Sequence, residues 1–139
     1  MPTKFKSGRP EGTRDLVLLV DDHAAVRDLT QMMLTTHGYR VLVAADGTEA
    51  LALHAQQAER IKLVLTDLRM PNMDGLALIH ALRQVAPALK IIASAGLDRN
   101  DTGQLEQLRA LDVHAILHKP YTIDELLDTV KKALANTDR

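Results

Sequence analysis

Residues 16–22 read Leu-Val-Leu-Leu-Val-Asp-Asp, five apolar residues running straight into two carboxylates. Successive side chains along a strand point to opposite faces, so this run is apolar on both sides. Such a strand has to be covered twice, as in a parallel sheet packed between two layers of helices. The acidic pair then falls at the carboxyl end of that strand.

Working outward, four further runs read as strands: Tyr39–Val43 (YRVLV), Leu63–Thr66 (LVLT), Lys90–Ala93 (KIIA) and Ala115–Leu117 (AIL). Helical stripes lie between and after them. Val26, Leu29, Thr30 and Met33 form one, and Leu78, Leu82 and Val85 with Ile79 form another. Ile123, Leu126, Leu127, Val130 and Leu134 form the last. Leu105, Leu108 and Leu111 mark a helix before the fifth strand, behind a polar lead-in at Asp98–Gly103. Thr122 with Glu125, and Asp46 with Glu49, have the spacing of capping boxes. Gly38 sits where a left-handed cap would end the first helix, and Pro87 closes the third. Five strand–helix repeats predict a doubly wound α/β sandwich in one domain.

The 139 residues carry a net charge of −1, unevenly spread. Lys4, Lys6, Arg9 and Arg14 against Glu11 give residues 1–14 a charge of +3, which leaves −4 for the rest. An acidic body with only Phe5, Tyr39 and Tyr121 as aromatics suits neither phosphate neutralisation nor base stacking, so no direct nucleic-acid contact is expected. No apolar run reaches the ~18–20 residues of a membrane span. The first residues lack the apolar centre of a secretory signal. Cysteine is absent, which excludes disulfides and thiolate metal sites. A cytoplasmic location without membrane contact is the expectation, although a parent chain could be membrane-anchored.

In an open parallel sheet, ligands bind beyond the carboxyl ends of the strands. Asp21 and Asp22 follow the first strand, Asp67 the third and Lys119 the fifth. Two carboxylates ~4 Å apart repel by about 4 kcal/mol at an effective dielectric of 20, so gathering three calls for a cation. All-oxygen donors suit magnesium, which keeps waters and shares a substrate phosphate. A carboxylate can itself attack phosphorus to form an aspartyl phosphate. Which of the three attacks is left open by the chemistry alone.

Three segments, VLLVDD (17–22), LVLTDLRMPNMDG (63–75) and HKPYT (118–122), closely resemble the response-regulator receiver domain of two-component systems. The resemblance runs from about Asp15 to Leu134. It implies a flavodoxin-like five-stranded parallel sheet of order 2-1-3-4-5 with five helices. It also implies a domain over 15–136, a flexible basic tail or linker over 1–14 and a frayed end at 137–139. Asp67 would be the phosphoacceptor. Asp22 would bind Mg2+ directly, Asp21 largely through water, and the backbone carbonyl of Arg69 would be a further ligand. Lys119 would pair with Asp67 and then with a phosphoryl oxygen. The Lys119–Pro120 peptide resembles the family's cis bond, and Gly75 would relieve the turn into the third helix.

The wording is closest to receivers of hybrid sensor histidine kinases, with a free-standing response regulator as the alternative. The expected partner is a histidine kinase or histidine phosphotransfer domain, docking on the first helix and the loop around Pro120 and Tyr121, with Arg27 as an exposed contact. A weak homodimer is compatible with the resemblance. The domain itself would only gain and lose a phosphoryl group. One departure stands out. The hydroxyl expected at the end of the fourth strand is replaced by Ala95, with Ser94 one residue early unless the register shifts.

Other readings carry less weight. His114 and His118 have the spacing of a helical zinc pair, but across a strand four residues span ~13 Å. His80 would suit a phosphohistidine only in a helical bundle, which this strand-rich chain is not. Met70 and Met73 read as packing residues. A haloacid-dehalogenase-type phosphatase usually carries a second Asp where this chain has Arg69. A pseudo-receiver used only for docking would not need the intact acids and lysine.

Overall fold

The computed structural model describes residues 15–96 and 102–135, with the side chains of 102 and 103 left aside. The expected tail over 1–14, most of the polar lead-in at 98–103 and the end at 137–139 lie outside the described residues. The elements alternate strictly: β1 (Leu16–Val20), α1 (Ala24–Thr36), β2 (Arg40–Ala44), α2 (Gly47–Gln57), β3 (Ile61–Asp67), α3 (Gly75–Val85), β4 (Lys90–Ala95), α4 (Thr102–Ala110), β5 (Ala115–His118) and α5 (Ile123–Ala135). All strand pairs are parallel, in the order β2-β1-β3-β4-β5. The expected flavodoxin-like sheet is therefore present.

Alternation along the strands divides the core into two layers. Leu18, Val64, Ile91 and Ala93 pack with Ala50, Leu78, Leu82 and Leu108 from α2, α3 and α4. Val17, Leu65, Ile92 and Leu117 pack with Leu34 of α1 and with Leu126 and Val130 of α5. Truncating a fully buried leucine such as Leu18 to alanine typically costs about 2–5 kcal/mol.

Strand limits differ from the sequence reading for identifiable reasons. The N–H of Tyr39 donates to Leu34 O at 3.1 Å, so Tyr39 belongs to the exit of α1 and β2 begins one residue later. β4 runs on to Ala95 because Ser94 pairs with Asp67 and Ala95 with His118. The stripe on α1 lies on a helix, as expected, but only part of it faces the core. Thr30 and Leu34 are its buried residues, while Val26 and Leu29 are 39% and 52% exposed.

Caps follow the sequence signals. Thr122 Oγ1 accepts from Glu125 N–H at 3.0 Å and Glu125 Oε1 accepts from Thr122 N–H at 2.8 Å, a reciprocal box. Gly38 has φ 95°, the left-handed conformation that favours glycine. At the amino end of the sheet, Arg83 near the end of α3 binds carbonyls from two loops. Its Nε donates to Leu111 O at 2.7 Å and Nη2 to Asp112 O at 2.9 Å. Its Nη1 reaches Leu89 O at 2.7 Å and Pro87 O at 3.2 Å.

Candidate functional site

The three acids and the lysine meet at the carboxyl edge of the sheet. Asp21 leaves β1 with its N–H bonded to Ala44 O at 3.1 Å, which fixes it against the end of β2. Arg27 Nη1 donates to Asp21 O at 2.8 Å. Arg27 is therefore half-buried scaffold for the acid loop rather than the exposed docking contact expected from sequence. Asp67 ends β3 with its Oδ1 accepting from Leu68 N–H at 2.8 Å. Lys119 Nζ lies 3.2 Å from Asp67 Oδ2 and 3.4 Å from Asp21 Oδ2, so it pairs with two carboxylates. Burial works to lower the Lys119 pKa, but Asp67 and Asp21 together outweigh that and raise it above its ordinary value. The side chain is thus an ammonium at neutral pH.

Asp21 and Asp67 are buried, and Asp22 is partly exposed. Asp21, Asp22, His23 and Asp67 each place one donor atom in a cluster whose members all lie within 4.8 Å of one another. Asp22 Oδ1 is buried and makes no hydrogen bond. An oxygen left so costs roughly 1–3 kcal/mol unless something else satisfies it. The clustered carboxylates and the orphaned oxygen fit a hard divalent cation such as Mg2+. His23 was not among the residues singled out from sequence. The available signal was a third donor directly after the acidic pair.

The loop from β3 to α3 is tightly built. Gly75 N–H donates to Leu68 O at 2.9 Å, and a Cβ on Gly75 would overlap the carbonyl oxygen of Asp67. The glycine is needed for close approach to the Asp67 backbone. Asn72, at φ 66°, donates through Nδ2 to Asp46 Oδ2 at 2.8 Å. Gly47 N–H donates to Met73 O at 3.1 Å, and a Cβ on Gly47 would lie 2.7 Å from that same oxygen. Bonds from the Glu49 N–H and then Asn72 hold the Asp46 carboxyl below the usual carboxylate range. Met70 and Met73 pack against the core beside α3. Arg69 is exposed.

The ladder fixes the register of Ser94 and Ala95. Asp67 pairs with Ser94, whose hydroxyl is buried and has no hydrogen-bond partner. Ala95 packs in the layer of α3 and α4, while its carbonyl accepts from Lys119 N–H at 2.8 Å. No register shift interrupts β4 against either neighbour. The Lys119–Pro120 peptide is cis. His114 directly precedes β5 and His118 is its last residue, while His80 is exposed on α3.

A doubly wound sheet of this order with acids and a lysine at its carboxyl edge defines a class, and comparison with known proteins agrees. The profile of the response regulator receiver domain matches residues 17–131. The chain belongs to the response regulator receiver domain family. It is 31% identical over 121 residues to sporulation initiation phosphotransferase F of Bacillus subtilis, covering 85% of this chain and 92% of that protein. It is 34% identical over 142 residues to sensor kinase CckA of Brucella abortus, covering 99% of this chain but only 15% of that protein. Among solved structures, a response regulator receiver protein from Pseudomonas putida is 36% identical with a TM-score of 0.78, covering 86% of this chain and 97% of that one. A receiver domain protein from Methanospirillum hungatei reaches a TM-score of 0.81 at 29% identity, over 88% and 94% of the two chains. Among the described residues, no helix is long and apolar enough to cross a membrane.

Proposed function

We propose that Asp67 accepts a phosphoryl group from the phosphohistidine of a histidine kinase or phosphotransfer domain, over a Mg2+ site held by Asp21, Asp22, Asp67 and the Arg69 carbonyl. The observation that carries this reading is the position of Lys119 Nζ, 3.2 Å from Asp67 Oδ2 beside the acidic pair. Leu68 N–H holds Oδ1, leaving Oδ2 to attack phosphorus. The bond from phosphorus to the donor imidazole breaks, and the imidazole leaves with its electron pair. Lys119 then turns from the carboxylate to a phosphoryl oxygen and stabilises its charge. When bound, a divalent cation offsets the carboxylate repulsion and draws charge from the transferring oxygens.

The carboxyl edge also offers a partner surface. A groove of about 510 Å³ beside Lys119 is lined by Val26, Leu29, Met33, Pro120 and Tyr121, which suits an amphipathic helix of the phosphate donor. The exposed α1 residues Leu29 and Met32 are the contacts to test in place of Arg27. The subfamily we favour is the receiver of a hybrid histidine kinase, whose parent chain could be membrane-anchored while this domain stays cytoplasmic. A free-standing regulator is the second reading, favoured by the near-complete coverage of phosphotransferase F.

Ala95 stands at the end of β4 where a hydroxyl would bind the phosphoryl group, and we take it as the switch position. Such a receiver would be phosphorylated normally and switch weakly, as suits a relay or phosphate sink. The direct test of function is incubation with acetyl phosphate and Mg2+, followed by mapping of the label. A single label on Asp67 supports the reading. Label on Asp21, Asp22 or a histidine, or multiple turnovers of a phosphate ester, would refute it.

A further inference from the structure

The acidic edge carries one donor of a different chemical kind. His23 occupies the N-cap position of α1, yet its side chain makes no capping hydrogen bond. Its backbone N–H instead donates to Asp21 Oδ1 at 2.9 Å, which turns the residue toward the acids. Nδ1 then lies 3.3 Å from Asp22 Oδ1 and 3.6 Å from Asp21 Oδ1. An octahedral ion with bonds near 2.1 Å has adjacent donors roughly 3.0 Å apart and opposite donors roughly 4.2 Å apart. The 3.3 and 3.6 Å spacings exceed the adjacent-donor value by about 0.3 and 0.6 Å, and the 4.8 Å limit for the whole cluster exceeds the opposite-donor value by about 0.6 Å, so the donors need close in only slightly on an ion.

Two further observations point to a ligand at this place. Asp22 Oδ1 is buried and makes no hydrogen bond, with the His23 ring nitrogen 3.3 Å away. The Ser94 hydroxyl, 3% exposed and unpartnered, belongs to the β4 residue paired with Asp67 and so lies on the same side of the sheet.

We propose that His23 is a metal ligand that sets cation preference, its imidazole Nδ1 joining the carboxylates when the ion is a nitrogen-accepting transition metal such as Co2+. This inference rests on the Mg2+ reading of the site above. Mg2+ strongly favours oxygen donors and retains its waters, so the imidazole adds little to its affinity. Co2+ accepts imidazole readily and stands well above the alkaline-earth ions for mixed nitrogen–oxygen sites. One residue thereby makes a site otherwise built from oxygens discriminate between two cations of the same charge. The same imidazole acting only as an exposed neighbour of the carboxylates would contribute at most about 1 kcal/mol to any cation-free property and nothing to cation preference.

The test is calorimetric titration of the full 139-residue chain with MgCl2 and with CoCl2, in the parent, His23→Ala and Asp22→Asn. His23→Ala should lower Co2+ affinity by at least about tenfold, a loss seen even for residues one shell further from a metal. Mg2+ affinity should change by less than about twofold, since Mg2+ keeps water where the imidazole would bind. Contact-shifted imidazole resonances in the Co2+-bound parent should vanish in His23→Ala. An unchanged ratio of the two affinities in His23→Ala would overturn the proposal while leaving the Mg2+ site intact. Undiminished Mg2+ binding in Asp22→Asn would instead overturn the reading of the site on which it rests.

Discussion

The two edges of the sheet solve opposite problems. At the amino edge, Arg83 spends its guanidinium on the carbonyls of Leu89, Leu111 and Asp112, at 2.7–2.9 Å. Burial lowers its pKa only against the opposing pull of Asp112, and a guanidinium remains charged throughout the accessible range. At the carboxyl edge, two of the three clustered carboxylates pair with one ammonium, and Asp22 Oδ1 and Ser94 Oγ have no hydrogen-bond partner. One edge is satisfied internally. The other is left incomplete, and incompleteness is what a ligand can use. Stability and chemistry should therefore separate cleanly between the two.

The sharpest way to break this comparison is Asp67→Asn, which should abolish labelling by acetyl phosphate because the attacking oxygen is gone, yet leave the thermal midpoint nearly unchanged. Loss of fold together with label would show that Asp67 is scaffold as well as acceptor. Arg83→Ala should do the reverse. Removing several charge-assisted hydrogen bonds from partly exposed carbonyls should cost about 2–4 kcal/mol in denaturant unfolding, with labelling of the folded fraction unchanged. A labelling defect in that folded fraction would couple the two edges.

The next effect is smaller. Ala95→Ser would add a hydroxyl able to bind the phosphoryl group, an interaction worth ~1.5–3 kcal/mol, or roughly 10- to 150-fold in population. Amide shifts in and after β4 on adding a phosphoryl mimic should increase. If Ser94→Ala abolishes the response of the parent, Ser94 is the switch and the assignment of Ala95 fails. Asp22→Asn should have the least effect on the cation-free fold, a gain of up to about 1 kcal/mol from relieved repulsion at a partly exposed carboxylate. A lower thermal midpoint without Mg2+ would show that Asp22 helps to hold the loop.

Much of this division was legible in the sequence, and the exceptions have physical causes. LVLLVDD and LVLTD announce themselves because buried parallel strands need uninterrupted apolar runs and acids stand out after them. Thr122 with Glu125 is equally plain, since both partners of the box are side chains. Arg83 gave no signal, because its partners are backbone carbonyls that every residue possesses. The stripe through Val26 and Leu29 marked the helix but not its exposure, because periodicity reports an apolar face without saying what covers it. His23 was passed over because only the turn of the backbone after β1 brings its ring to the acids.

The seam between α2 and the loop after β3 has a mechanical consequence. Asn72 is tied to Asp46, and Met73 is pressed so closely on Gly47 that no side chain fits between them. The loop after Asp67 thus has a stiff shoulder on the side of α2. A rearrangement launched at Asp67 meets resistance there and should travel the other way, through Ala95 and Lys119 toward β4 and β5. Signal direction would then be set by where the edge refuses to yield. Hydrogen exchange at Gly47 should remain the same with and without a phosphoryl mimic, while exchange at Lys119 changes.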